Sequence, residues 1–317
     1  MLRLPKLLQG RTDMPIFILR RALEAFATLF VLTLVIFLLA RLVGDPAPLV
    51  LGTEATPQDL QFYRHQYGLD RPLALQYLTF LSNVAQGDFG VSFRYRVPAI
   101  GMIMPALWAT FKLTGLAMVV SVLIGVPMGV LGSIRPRGWV SRAVGWYAAA
   151  GESIPSFWFG LLLMLVFAVT LGVLPSSGYG TWQHYVLPVT TLALFSSASL
   201  AALTRANMIS ALQSDFVTME RNLGLPEASI VFKHALRNAS LPILTFLGLQ
   251  FGVLLGGAVV TELVFSWPGV GQIMVEAIFT RDYPVIQAGV LITAFCFMLI
   301  NLMVDVFATM LDPRVRQ

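Results

Sequence analysis

Six stretches of the 317-residue chain are long and apolar enough to cross a bilayer as helices of about 20 residues, at about 23–43, 106–132, 143–174, 186–207, 241–265 and 285–310. Stretches of this kind have to be helical, because an open sheet leaves backbone N–H and C=O groups unpaired in hydrocarbon. The expected fold class is an all-α membrane protein with six transmembrane helices. Composition points the same way: 57% of residues are hydrophobic and 12% charged, against about 25% charged in a soluble domain. Sixteen acids and twenty-one bases are too few to coat a soluble core of this length. The lone Cys296 lies in an apolar run, so no intrachain disulfide forms and the thiol reads as packing. The first apolar stretch is longer than a signal-peptide core and runs into Arg41 and Gly44-Asp45-Pro46, so it is expected to remain as a membrane anchor.

An even number of spans puts both termini on one side, and the bases say which. Arg3, Lys6, Arg11, Arg20, Arg21, Arg135, Arg137, Arg142, Arg205, Arg221, Lys233, Arg237, Arg314 and Arg316 all fall on the face of the termini. Four of the remaining seven, Arg64, Arg71, Arg94 and Arg96, share one long loop, where the positive-inside rule weakens. Both termini are therefore expected to be cytoplasmic. The formal charge of +5 follows from this topology. It is not a nucleic-acid footprint, since the bases form no patch interleaved with exposed aromatics.

The chain then divides into a cytoplasmic N-terminal segment at 1–22, a first transmembrane helix at 23–43, an extracytoplasmic helical loop at 44–105, a five-helix transmembrane core at 106–310 and a cytoplasmic tail at 311–317. Two connections are too long for turns. In the outer one, Thr56-Pro57-Gln58-Asp59 reads as a helix start with Thr56 as N-cap and Pro57 at the first helical position, ending at Gly68. A second helix is expected from about Pro72 to Gly87, with Leu75, Leu78, Phe80 and Leu81 on an apolar side that needs a partner. The inner connection, 208–240, breaks at Gly224-Leu225-Pro226 into two helical stretches. Its first stretch, Ser214 to Leu223, is amphipathic, which suits either docking into a protein groove or lying on the membrane surface.

At this point the residues resemble a known family in several separated places. Glu220-Arg221-Asn222-Leu223-Gly224-Leu225, followed by His234-Ala235-Leu236-Arg237-Asn238-Ala239-Ser240-Leu241-Pro242, is similar to the EAA loop of ABC importer permeases in its peptide-importer form. Glu262-Leu263-Val264-Phe265-Ser266-Trp267-Pro268-Gly269-Val270-Gly271 and Arg281-Asp282-Tyr283-Pro284-Val285-Ile286-Gln287 resemble the segment between the fifth and sixth spans. Gly68-Leu69-Asp70-Arg71-Pro72, Gly87-Asp88-Phe89-Gly90, Ser153-Ile154-Pro155-Ser156-Phe157-Trp158 and the ending Leu311-Asp312-Pro313-Arg314 match the same dipeptide, oligopeptide and nickel permeases. The chain departs from the family where small and basic residues usually precede the loop glycine: Met219, Glu220, Asn222 and Leu223 stand there instead.

The resemblance implies a type I importer permease of the bacterial inner membrane, paired with a second homologous permease, two ATP-binding subunits and an extracytoplasmic solute-binding protein. ATP and magnesium would sit on the partner ATPases; this chain has no G-x-x-x-x-G-K-[ST] phosphate loop, no cofactor is expected in it, and no catalytic or metal-ligating set is expected. Asp215, Phe216, Met219, Glu220, Arg221 and Gly224 are the candidate ATPase-coupling residues; an ordinary turn glycine and a solvated polar face are the plain alternatives.

Glu152, ten residues past Arg142, lies about 15 Å into the membrane at 1.5 Å per residue. A carboxylate there costs about 2.5–3.5 kcal/mol on insertion scales, so it is expected to face a water-filled cavity or a partner. Glu152, Ser153, Pro155, Gln272 and Met274 are the pore or gate candidates, with a structural hydrogen bond as the alternative for Glu152. Asp305 reads as an interhelical contact near the inner mouth. Arg94, Arg96, Glu262 and Trp267 are candidates for docking the binding protein; for the loop arginines the plainer reading is a solvated loop packed over the pore, and for Glu262 the alternative is contact with the partner permease. Two other classes compete. An intramembrane enzyme needs paired carboxylates or a Ser/His pair within the spans, and His65, His184 and His234 fall outside them or at their edges. A stand-alone channel or secondary transporter is expected to show inverted repeats and interrupted helices in both halves; Pro155 offers one interruption and no matching segment stands in the other half.

Overall fold

The computed structural model describes residues 6–42, 44–45, 47–52 and 55–311; residues 1–5 of the expected N-terminal segment and the tail beyond Leu311 lie outside the described residues. Among the described residues nearly all of the regular structure is helical, the exception being an isolated antiparallel bridge between Val91 and Pro98. The elements in order are α1 (Lys6–Leu42), α2 (Ala47–Leu51), α3 (Pro57–Gln66), α4 (Leu73–Ala85), α5 (Ala99–Ile134), α6 (Trp139–Ser153), α7 (Ser156–Leu163), α8 (Gln183–Leu212), α9 (Asp215–Asn222), α10 (Glu227–Ser229), α11 (Leu236–Val264), α12 (Val270–Phe279) and α13 (Tyr283–Leu311). Wider π-helical turns extend α7 through Met164–Thr170 and join α10 to α11 through Ile230–Ala235.

Among the described residues five helices are long and apolar enough to cross a membrane unbroken: Leu19–Leu42, Ala99–Ile134, Gln183–Leu212, Glu227–Gly256 and Tyr283–Val306. The sixth span is broken. Trp139–Ser153 and Ser156–Thr170 meet at 100°, where the sequence suggests a single stretch at 143–174. The cause is local: Pro155 lacks an N–H and crowds the residue before it out of the helical region, so Ile154 adopts an extended backbone at φ −89°, ψ 124°.

The chain forms two compact units. The first comprises residues 110–268 with 299–311 and the start of α1. Its centre is α8, packed by α6, α7 and α11. Small residues let the backbones approach, as membrane helices require when lipid supplies no hydrophobic drive between them. A Cβ added at Gly129 would lie 2.5 Å from Thr204 Cβ and 2.7 Å from the Ala201 carbonyl, and one at Gly151 would lie 2.4 Å from Ala198 Cβ. Val130, Leu200, Met208, Val231, Ala235, Ala239 and Ile243 fill the space towards the inner end.

The second unit comprises residues 19–109 and 269–298. Ala99, Ile103, Ala277, Val285 and Ala288 form its core. Thr56 caps α3 as expected: its hydroxyl accepts from Asp59 N–H and the Asp59 carboxylate accepts from Thr56 N–H at 3.0 Å. Helix α4 finds its partner in α1, where Phe80 and Tyr77 pack on Phe37 at 5.7 and 5.3 Å between ring centres and the Tyr77 hydroxyl meets Thr33 Oγ1 at 2.9 Å. Leu75 and Leu78 remain on its outer surface.

Candidate functional site

Helix α9 is the core of the inner loop, and one residue pins it. Val217 has no exposed surface, while Met219 and Leu223, one turn apart, are 65% and 69% exposed. Asp215 in the first turn and Arg221 in the last complement the helix dipole. The helix stops in a left-handed turn at Gly224, φ 76°, a conformation a Cβ disfavours. Gly224 N–H donates to the Arg221 carbonyl at 3.0 Å and Leu225 N–H to the Glu220 carbonyl at 3.2 Å, closing the end as a Schellman motif does. Arg221 then bridges the turn, its Nε and Nη2 donating to Glu227 Oε1 and Oε2 at 2.7 and 3.3 Å, which raises the guanidinium pKa.

Glu220 turns inward. Its Oε1 lies 2.6 Å from His234 Nδ1, with side-chain exposures of 17% and 31%. Of the six coupling residues expected from sequence, Met219 and Asp215 therefore face out and Phe216 is half-buried, whereas Glu220 and Arg221 have partners within the chain. The outward apolar pair Met219 and Leu223 was readable from its i, i+4 spacing. His234 was not, because no local rule links it to Glu220 across the glycine turn.

Glu152 and Ser153 end α6 at the bend, both exposed on the isolated chain, with Pro155 opening α7 beside them. Of the two gate candidates on α12, Met274 packs against α13: a Cβ added at Gly289 would lie 2.8 Å from Met274 Cγ. Gln272 is half-buried.

Of the four docking candidates, two are internal. Glu262 and Trp267 have no exposed surface. Thr110 Oγ1 donates to Glu262 Oε1 at 2.6 Å, the Trp267 N–H donates to the Glu262 carbonyl at 2.8 Å, and the indole is met edge-on by Tyr179 and Tyr185 at 4.8 and 4.6 Å. Side chains so enclosed are framework, and the expectation that they touch a docking protein is corrected on that ground. Arg94 and Arg96 are exposed. Arg96 Nη2 donates to the Val50 carbonyl at 2.6 Å, and Tyr95 between them donates to Glu276, a bond that raises the Tyr95 pKa.

The loop bearing these arginines is held by a residue whose role the sequence did not suggest. Asp282, 2% exposed, accepts from Ser92 Oγ, from Phe93 N–H at 3.1 Å and from Arg94 N–H at 3.4 Å.

The six-span helical arrangement is that of ABC importer permeases. A subunit of the MetNI methionine ABC transporter in an inward-facing conformation superposes with a TM-score of 0.58 at 18% identity, covering 67% of this chain and 97% of that one. An amino acid ABC transporter crystallised with histidines gives 0.51 at 22%, covering 74% and 98%. Residues 121–317 match the model for the binding-protein-dependent transport system inner membrane component, and residues 14–114 the model for the N-terminal region of such membrane components. The chain belongs to this family of transport permeases. It is 42% identical over 305 residues to the glutathione transport system permease protein GsiC of Escherichia coli K12, covering 95% of this chain and 98% of that protein, and equally to its counterpart in Shigella flexneri serotype 5b. It is a multi-pass inner-membrane subunit of an ATP-driven importer, a transport protein rather than an enzyme.

Proposed function

We propose that this permease forms half of the translocation pore with a second homologous permease, receives its solute from an extracytoplasmic binding protein, and is driven by two ATP-binding subunits that hold ATP and magnesium. The solute class is small peptides, glutathione among them; the 42% identity to the glutathione permease over nearly the whole of both chains supports that class.

The observation that carries the coupling assignment is the build of α9: an amphipathic helix anchored by Val217 that presents Met219 and Leu223 outward, its end fixed by the Gly224 turn and the Arg221–Glu227 bridge. An apolar pair on a short, braced helix suits insertion into a groove of the ATPase subunit. In this reading Met219 and Leu223 make the contact with Asp215 and Phe216 at its rim, while Glu220, Arg221 and Gly224 keep the helix in shape. Glu152, with Ser153 and Pro155 at the bend, lines the solute path; Gln272 and Met274 belong to the short helix at its outer mouth. Arg94 and Arg96 meet the binding protein.

The test is ATP hydrolysis by the reconstituted importer with loaded binding protein. Met219→Glu with Leu223→Glu is expected to abolish stimulation, and Gly224→Pro to reduce it strongly, with the permease still present in the membrane. Full stimulation in both variants would remove the coupling role.

A further inference from the structure

Gly224 turns the inner loop between α9 and α10 in a left-handed conformation, φ 76°. A glycine turn held by its backbone alone bends easily, since no Cβ restricts it. Here side chains cross the turn twice. Arg221 before it meets Glu227 after it, Nε lying 2.7 Å from Oε1, and Glu220 before it meets His234 after it, Oε1 lying 2.6 Å from Nδ1. An ionised carboxylate only accepts, so His234 Nδ1 carries the proton and donates. Glu220 is also one of the residues by which the chain departs from its family's small and basic pattern ahead of the loop glycine.

The two bridges are unequal. The Arg221 and Glu227 side chains are 44% and 64% exposed, and an ion pair so open to water contributes little. Glu220 and His234 are 17% and 31% exposed, and solvent and salt screen a partly buried pair much less. The second bridge also reaches further. Glu227 opens the three-residue α10 just past the turn, whereas His234 lies in the wider turns Ile230–Ala235 that run without a break into α11, the fifth span. That segment is firmly seated: Ile230 and Ala235 have no exposed surface, and Val231 and Ala235 share a core with Leu200 and Met208 of α8 and Ile243 of α11. Both bridges leave α9 on the α11 side; among the described residues no α9 side chain pairs with α8.

We propose that His234 is a positioning residue for transport: through Glu220 it makes α9 and the start of the fifth span one stiff lever, so that a displacement imposed on α9 reaches α11 instead of being absorbed as bending at Gly224. This rests on the coupling role of α9 proposed above. His234 makes no contact with the ATPase in this reading and acts only through Glu220. Without the bridge the ATPase still grips Met219 and Leu223 and still hydrolyses ATP, but part of each stroke is spent on the glycine turn. The consequence is slippage, with less solute moved for each ATP consumed.

The test is the amount of solute imported per ATP hydrolysed by the complete importer in proteoliposomes with loaded binding protein. Glu220→Ala and His234→Ala are each expected to lower that ratio about three- to tenfold, with hydrolysis near the parent rate. The double variant is expected to be no worse than either single one, as two residues acting through one bond require. A covalent bridge supplies the rescue. With Cys296→Ala, the pair Glu220→Cys and His234→Cys joined by a short, reducible bis-thiol reagent should recover the ratio and lose it again on reduction, while the single-cysteine proteins treated alike stay uncoupled. Because the joined and reduced forms are the same folded protein, misfolding cannot account for the difference. A parental ratio in both alanine variants overturns the proposal, as does a joined protein that imports no better than its reduced form. If Met219→Glu with Leu223→Glu leaves hydrolysis fully stimulated, the coupling reading itself falls and the lever with it; if that variant abolishes stimulation while Glu220→Ala keeps the parental ratio, the lever alone is overturned.

Discussion

Asp282 shows how much a single carboxylate can organise outside the membrane core. It gathers a hydroxyl and two backbone N–H groups from residues 92–94, at the start of the last helix. Asp282→Asn keeps the shape but replaces one acceptor oxygen with an NH₂ that faces donors. Hydrogen bonds to a charged group contribute about 1.5–3 kcal/mol, and the expected loss is of that order, measured as a lower melting midpoint in detergent. Binding-protein affinity should fall with it, because Arg94 sits on the tethered loop. The Thr56–Asp59 capping box makes a contrasting case. The Thr56 hydroxyl, and then its backbone N–H, hold the Asp59 pKa below the usual carboxylate value. The stabilisation is thus present above the unfolded pKa and lost as pH falls through the depressed folded one. Hydrogen exchange of the first α3 amides is expected to accelerate only in that acid window, and Asp59→Asn should flatten the response. That box was legible because its partners are three residues apart. Asp282 and Ser92 are separated by 190, and no spacing rule reaches so far. The same distance problem hid the inward turn of Glu220 onto His234, and it let Glu262 and Trp267 read as surface residues when both are wholly enclosed.

At the scale of elements, the sequence was most informative where period and punctuation decide. Span positions, the caps of α3 and the break after α9 follow from hydropathy, Thr-Pro and Gly-Leu-Pro. Bend angles and helix partners do not, since they depend on which faces meet. The 100° break at Pro155 is one example, and the packing of α5 on α8 is another. Gly125 and Gly129 form a G-x-x-x-G pattern whose meaning appears only when Thr204 and Ala201 are found against it. Gly129→Ala gains about 1 kcal/mol of helix propensity but places a methyl 2.5 Å from Thr204 Cβ. Overpacking of this kind costs about 1–3 kcal/mol, so a net loss of folded yield is expected. Adding Thr204→Gly should recover part of it, measured by fluorescence-detected gel filtration. A Gly129→Ala variant as stable as the parent would mean that the two helices separate at no cost.

The whole molecule decides what Glu152 does, because its surroundings in the importer are supplied by more than this chain. It is exposed at the end of α6, and a carboxylate facing lipid in the bilayer interior costs about 2.5–3.5 kcal/mol. An exposed surface of a single permease faces lipid, its partner permease or the solute path, and the first is the expensive option. Glu152→Gln removes the charge and keeps hydrogen-bonding capacity. If the carboxylate lines the path, the variant should assemble normally and hydrolyse ATP with loaded binding protein at the parent rate, while uptake into proteoliposomes falls several-fold. Glu152→Leu should deepen the uptake defect without loss of the complex. If the carboxylate instead joins the two permeases, Glu152→Leu will release the partner during affinity purification, and hydrolysis and uptake will fall together. The ratio of solute imported to ATP hydrolysed therefore separates a path residue from an interface residue, since only the first can be altered while the machine still turns over.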